Sequence, residues 1–393
     1  MKIAIFGASG LVGATLTERM LASGEHEIVP IIHTAGNAWR LARLGIPLTQ
    51  ADVTDRDDVL RAVDGCTHVI NCALGSNLAL VTGIRNLLAA CATQPIERLV
   101  HLSSVLVYGE PPSPESESED AQPIVEKGSY QDFKLRQDVL VEEACDQGVR
   151  AVNLCIPNVS GVYSRYILDV VASLRAGTFA LVDDGAAPVV LGDVANIAHA
   201  LELGLHCEEA DGKRIFINDG GEGTWGDVVR ALAPLAGRTD PIPSISRDEA
   251  MDIVSGGGQG GVKAHLGTLR RIAGLETVKD IVKQNPDLTR EFRSLRARYE
   301  GLPGWAAKPL TSLLKGGGGG AAPKPTGPRP NYDARFLQHQ LRGVRHRIDK
   351  AQRVLGYEPP YDLEASMTAF TAWYRTVQGY DEPGWDLFQE LIS

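Results

Sequence analysis

The opening stretch MKIAIFGASGLVGATLTERML, Met1 to Leu21, decides how the rest of the chain is read. Lys2 to Phe6 is a short apolar run with strand character, and Ala14 to Leu21 reads as a helix. Between them Gly7, Gly10 and Gly13 form the pattern G-x-x-G-x-x-G. Gly7 allows a tight turn off the strand, Gly10 lets backbone approach a ligand, and Gly13 lets helix pack closely on sheet. Free N–H groups at the helix start then face a pyrophosphate, and the helix dipole favours its negative charge. Gly7, Ser9, Gly10, Leu11, Val12 and Gly13 are therefore the candidate contacts of a dinucleotide.

Working outward, strands and helices alternate. Strands are expected at Glu27–Ile32, Ile46–Ala51, His68–Asn71 and Arg98–Leu102, with helices over 57–63 and 78–91 between them. Asp55 is placed to cap the first of these helices. That alternation predicts an α/β fold, a right-handed, doubly wound parallel sheet of Rossmann type. The second strand ends in His33 without a carboxylate, and Arg40 follows. Nothing acidic there excludes a 2′-phosphate, so the reading is NAD(P) with a slight lean to NADP. Arg40 also reads as a solvated helix residue. Asp52, beside Val53, can accept from an adenine amino group, and the small residues Cys72 and Ala73 can lie against the cofactor.

The fifth strand runs into Ser103-Ser104, at the strand ends where a doubly wound sheet opens its crevice. The acidic, proline-rich EPPSPESESED (110–120) reads as a solvated loop near the crevice mouth. Tyr130 and Lys134 then open a long helix reaching about Cys145, and their spacing of four puts phenol and ammonium on one face. A neighbouring cation favours the phenolate and lowers the tyrosine pKa toward the range useful for proton transfer.

These motifs together resemble the extended short-chain dehydrogenase/reductase family, especially its NAD-dependent epimerase/dehydratase branch. HLSSVLVYG (101–109) resembles that family's S-S-x-x-V-Y-G element, and Tyr130 with Lys134 fits its catalytic pair. NLCIPNVSGVYS (153–164) resembles its R-P-x-N-V-Y-G-P-G segment, and RVLGYEP (353–359) its R-x-L-G-Y-x-P signature. The resemblance implies Ser104, Tyr130 and Lys134 as catalytic residues. Tyr130 is then the acid/base, Lys134 holds the cofactor ribose, and Ser104 hydrogen-bonds the reacting oxygen. It also implies Pro157 beside the cofactor and Ser76, Tyr108 and Asn158 toward the substrate. A sugar or sugar-nucleotide hydroxyl or ketone is the leading substrate class, with steroid- or polyketide-like alcohols and a non-catalytic dinucleotide sensor as alternatives. Two departures bear on this. Cys155 stands where the family segment has arginine, and Pro188–Val194 lacks the arginine that grips a nucleotide phosphate in many members.

The resemblance also divides the chain. Residues 1–160 plus 188–220 are expected to bind the dinucleotide. Residues 161–187 plus 221–393 form a smaller, mostly helical substrate domain, with 244–330 as a helical insertion and Gly/Pro-rich link. Helices are expected there near 262–272, 278–284 and 288–299. The local basic cluster (Arg270, Arg271, Arg290, Arg293, Arg296, Arg298) reads as a solvated face or as a lid for an anionic substrate. Further helices are expected over 194–205, 225–235, 338–355, 363–377 and 386–392, with a returning strand at 213–218. The stripe Phe370, Trp373, Tyr374 and Val377 reads as core or dimer contact.

With 393 residues there is room for a large core, and a net charge of −10 argues against non-specific nucleic-acid binding. Six scattered cysteines suggest neither a zinc site nor a disulfide framework. The histidines lack metal-ligand spacing, so no metal is expected. No apolar run approaches the roughly 18 residues of a membrane helix, and a strand from residue 2 leaves no room for a signal peptide. A cytoplasmic enzyme of small molecules, with a homodimer as one possible assembly, is the expectation.

Overall fold

The structure is a computed structural model that describes residues 1–255 and 331–377, the side chain of Leu78 excepted. The chain divides into two units, Met1–Ala250 with Tyr332–Ser393, and Met251–Asn331. The sheet, its cores and the candidate site belong to the first.

Seven strands make the main sheet: β1 (Lys2–Phe6), β2 (Glu27–Ile32), β3 (Thr49–Gln50), β4 (His68–Asn71), β5 (Arg98–Ser104), β6 (Ala151–Ile156) and, further along the chain, β10 (Arg214–Phe216). Their order is β10-β6-β5-β4-β1-β2-β3, and each pairing is parallel. The order reverses between β1 and β4, where a doubly wound sheet opens its ligand crevice. Alternating residues of β1 serve opposite cores, as the two-residue period of a strand requires. Ile3 and Ile5 join the core under α1 (Leu11–Ser23), whereas Ala4 and Phe6 join the one under α3 (Arg56–Ala62), α4 (Asn77–Thr93) and α5 (Tyr130–Asp146). Between α1 and α3 lies the short α2 (Trp39–Ala42). Asp55 caps α3, its carboxylate accepting from Asp58 N at 2.9 Å.

After the sheet's sixth strand the chain runs through β7 (Asn158–Ser160), α6 (Arg165–Ala176), β8 (Leu181–Val182), β9 (Leu191–Asp193) and α7 (Val194–Gly204) before returning at β10. Then come α8 (Trp225–Leu232), β11 (Ser244–Ile245), α9 (Arg247–Val254), α10 (Ala334–Leu341), α11 (Asp349–Leu355) and α12 (Leu363–Val377). A further core joins α6, α8, α10 and α12 through Val170, Trp225, Val228, Phe336 and Phe370. Phe370 and Tyr374 are buried in it, so this part of the aromatic stripe is core.

Four expectations change. The third strand shrinks to Thr49–Gln50. Residues 244–245, expected to open a helical segment, form the short strand β11, which pairs with β8 in parallel. The helix expected over 338–355 is two helices, broken where Gly343 turns left-handed (φ +66°). The intervening backbone instead bonds side chains and loops: Asn218 Nδ2 donates to His346 O at 2.7 Å, and Arg347 N to Glu117 O at 2.9 Å.

The acidic stretch 110–120 is also a solvated loop only in part: Glu115, Glu117 and Asp120 are exposed, but other positions turn inward. Ser116 is fully buried, and Glu119 accepts from Phe216 N at 2.8 Å. Its acids find partners that composition alone does not show. The helices expected over 262–272, 278–284, 288–299 and 386–392, and the basic cluster of 270–298, lie outside the described residues. No helix among the described residues is long and apolar enough to cross a membrane.

Candidate functional site

The crevice at the strand-order reversal is a groove of about 780 Å³. Gly7, Ser9 and Gly10 form one wall, and Cys72 and Ala73 the facing one. His33, Asp52 and Val53 line its far end. Gly7 holds φ +76°, and a Cβ there would stand 2.6 Å from the Cys72 carbonyl oxygen. A Cβ on Gly13 would run into the Gly7 carbonyl. Gly13 therefore lies behind the turn and sets how tightly α1 docks, as do buried Val12 and, beside it, Leu11. No side chain caps α1, whose first helical bond is Ala14 N to Gly10 O. The amides of Leu11, Val12 and Gly13 precede that bond and remain for an anion. A dinucleotide fits this cradle on two counts: backbone approach that a Cβ would block, and an uncapped helix start beside the groove that Gly10 lines.

Not every expected contact lies there. Arg40 does not line the groove. It is 6% exposed, with Nη2 2.5 Å from Glu18 Oε2 and 3.1 Å from Thr15 Oγ1, and its guanidinium lies 4.3 Å from the centre of the Tyr163 ring. With Glu18 and Tyr163 holding it, Arg40 is neither a 2′-phosphate ligand nor a solvated residue. Thr34, Asn37 and exposed Trp39 line the groove instead, and the sequence pattern gave no sign of them. Asp52 spends one carboxylate oxygen on its own turn, accepting from Thr54 N and Thr54 Oγ1 at 2.8 Å each. Those bonds hold its carboxyl below the usual carboxylate range.

Ser104 ends β5 and is 8% exposed, and its Oγ accepts from Leu106 N at 3.2 Å. Tyr130 is the first residue of α5, behind the capping Ser129. Its ring is partly exposed and its hydroxyl makes no hydrogen bond among the described residues. Lys134, one turn on, is 4% exposed and donates from Nζ to Leu102 O at 2.9 Å. That carbonyl lies two residues before Ser104, so the lysine is tied to the strand that carries the serine.

Burial pushes the Lys134 ammonium down to about 8, against the opposing pull of Asp138. Burial also pushes the Tyr130 phenol up to about 12, with the Asp138 charge adding. The chain by itself therefore does not lower the tyrosine, contrary to the expectation from the pair.

The substrate candidates separate. Tyr108 is fully buried against Phe216 and donates to Glu119 O at 3.0 Å, so it is a core residue and not a substrate contact. Ser76 caps α4 and lines the dinucleotide groove, away from the substrate position assigned to it. Pro157 and Asn158 line a second cavity that also touches Val105 and Leu106, just beyond Ser104. Its free volume is about 20 Å³, room for roughly one water.

Around this cavity Tyr166 Oη and His339 Nδ1 share a hydrogen bond of 2.9 Å. Arg342 makes a two-pronged bond to Glu110, at 2.8 and 2.6 Å. His346 Nδ1 donates to Ser116 O at 2.7 Å. Burial pushes His339 down to about 3 and His346 to about 4, so both rings are neutral near pH 7. The sequence offered no motif for these residues, which come together from segments 173 to 232 positions apart.

Comparison with known proteins agrees with the fold. An uncharacterised protein of Mycobacterium tuberculosis is 36% identical over 107 residues, 26% of this chain and 12% of that protein. A putative dihydroflavonol 4-reductase of Synechocystis is 28% identical over 167 residues, 39% and 48% of the two chains. The chain thus spans less than half the length of these curated relatives. Among solved structures, UDP-glucuronic acid 4-epimerase from Bacillus cereus, in complex with NAD, superposes with a TM-score of 0.61 at 15% identity, covering 96% of this chain and 99% of that one. A family model described as the NAD dependent epimerase/dehydratase family matches residues 3–217, more than half of the chain. The chain belongs to that family.

Proposed function

We propose that the chain is an NAD(P)-dependent oxidoreductase or epimerase of the extended short-chain type, acting on a hydroxyl or ketone through Tyr130, Lys134 and Ser104. One observation carries this reading. The Lys134 ammonium bonds the β5 backbone at Leu102, and Gln137 of the same helix lines the dinucleotide groove. The candidate acid/base machinery therefore borders the candidate cofactor site.

In this reading residues 1–160 plus 188–220 bind the dinucleotide, and 161–187 plus 221–393 hold the substrate. The bound nicotinamide supplies a hydride acceptor or donor. Tyr130 Oη passes the proton to or from the substrate oxygen, and Ser104 Oγ hydrogen-bonds that oxygen. Lys134 holds the ribose and, while charged, favours the phenolate. An ammonium at about 8 is mostly charged at pH 7.

A sugar or sugar-nucleotide substrate and a non-sugar alcohol or ketone differ in what they ask of the second cavity. A nucleoside diphosphate asks for free cations. Here Arg342 is spoken for by Glu110 and both histidines are neutral, which favours an uncharged ketone or alcohol at this end.

Two assays test both points: hydride transfer at the nicotinamide absorbance, with NADH and NADPH against uncharged aryl and alkyl ketones, and turnover of a uridine diphosphate sugar with NAD+ and NADP+, followed at the same absorbance and by NMR of the epimerised sugar. Turnover is expected with the uncharged set, and Tyr130→Phe should lose about 10²–10⁴-fold while cofactor binding persists. Full turnover by Tyr130→Phe would overturn the mechanism, and preference for the diphosphate sugar would overturn the substrate reading.

A further inference from the structure

Helix α5 carries Tyr130, Lys134, Asp138 and Glu142 at intervals of four, which stacks them along one face. Tyr130 sits at the active-site end, and Glu142, at 34% side-chain exposure, at the solvent end. Between them Asp138 is fully buried. Arg214 of β10 spans the lower half of the ladder, with Nε 3.3 Å from Asp138 Oδ2 and Nη2 2.8 Å from Glu142 Oε1. Asn153 Nδ2 fixes the helix there by donating to the Asp138 backbone carbonyl at 3.2 Å.

The mechanism above leaves this buried carboxylate unused, and burial of a charge is costly without a return. We propose that Asp138, held by Arg214, is a positioning residue that keeps the Lys134 ammonium charged and directed at the active-site end of α5. The inference rests on the Tyr130–Lys134–Ser104 reading and deepens it.

The groups packed around the lysine support the assignment. Lys134 lies one helical turn from Asp138, and Cys72 just after β4, Cys155 of β6 and His101 of β5 are the other titratable groups coupled to it electrostatically. Burial holds both thiols protonated, Cys72 at about 12 and Cys155 well above the usual thiol range, and holds His101 neutral. Asp138 is then the group among these able to carry negative charge near pH 7. Ser103, Arg214, Glu142, Cys155, Lys134 and Tyr130 are the groups coupled to it electrostatically. Burial pushes its carboxyl up to about 7, and the Ser103 hydroxyl and then the Arg214 charge pull it back toward the charged form. Among the described residues Lys134 Nζ has one hydrogen bond, to Leu102 O, and the Asp138 charge is the largest pull opposing its burial.

The test is the titration of Lys134 Nζ in the full chain with NAD bound, by NMR of isotope-labelled lysine assigned with Lys134→Arg. Asp138→Asn keeps the shape and removes the charge. The Lys134 midpoint should fall by about one pH unit or more, and the alkaline limb of turnover should move down with it. NAD affinity at pH 6 should stay within about twofold, because Lys134 remains charged there. Arg214→Gln should move Lys134 the same way, since Asp138 without the guanidinium stays protonated at neutral pH; it serves as the test if Asp138→Asn does not fold. An unmoved Lys134 midpoint in the folded variant overturns the inference. Full turnover in Tyr130→Phe instead sinks the parent mechanism, so the two failures are told apart.

Discussion

The dinucleotide groove and the cavity beyond Ser104 both open from the carboxyl ends of the same parallel sheet, yet they are built of different material. The groove is backbone: a glycine turn, an uncapped helix start, and the small residues that end β4. The cavity is side chain. Glu110 reaches Arg342 across 232 positions, Tyr166 reaches His339 across 173, and His346 reaches Ser116 across 230. A backbone cradle tolerates change around it as long as no Cβ intrudes, whereas a side-chain cavity can alter its chemistry with a single substitution.

Substitution at the glycine turn should give the largest effect. Gly7→Ala places a Cβ against the Cys72 carbonyl at a φ that side chains rarely adopt. NADH binding, followed by fluorescence, should weaken at least roughly hundredfold, about 2.7 kcal/mol. Normal affinity would mean that the groove does not depend on close backbone approach.

At the other end, Glu110→Ala should leave a mostly buried guanidinium without its carboxylate. Loss of stability by about 3 kcal/mol is expected in chemical denaturation. NADH affinity should be nearly unchanged, and inhibition by inorganic pyrophosphate should appear as Arg342 is freed. A fall in NADH affinity equal to the fall at Gly7 would erase the distinction between the two ends.

The pH dependence sharpens the boundary between them. Lys134, lowered to about 8, is charged below that value and neutral above it. Turnover that needs the ammonium should therefore fall as pH rises, roughly tenfold for each pH unit beyond the midpoint. A rate that climbs through pH 9 would contradict this. The smallest effect is expected for Arg40→Met. It should cost stability by stranding Glu18, while the NADP-to-NAD preference changes less than about twofold, because the side chain lies outside the groove.

The same division explains what could be read from the sequence. The sheet order, the glycine cradle and the placing of Lys134 beside β5 follow from short-range pattern: apolar runs at strand length, glycines at fixed offsets, and phenol and amine one helical turn apart. Arg40 escaped that reading because its partner, Glu18, lies on α1, 22 positions away. Tyr108 escaped it because position after a strand cannot reveal that the ring turns inward onto Phe216. The acidic stretch 110–120 looked solvated because its partners Arg342, Arg347 and His346 follow more than 200 residues later. Nor did pattern reveal that the lysine of the pair would be buried deeply enough to fall, or that desolvation around a partly exposed tyrosine would make the phenol rise. Spacing fixes proximity, and solvation decides charge.

A crystal structure of the full chain with NAD bound tests the central claim most directly. The account predicts the nicotinamide beside the Tyr130 hydroxyl, with Lys134 Nζ and Tyr130 Oη within hydrogen-bond reach of the ribose, about 2.6–3.2 Å. A nicotinamide bound elsewhere along the groove, with Tyr130 Oη directed to bulk solvent, would contradict it.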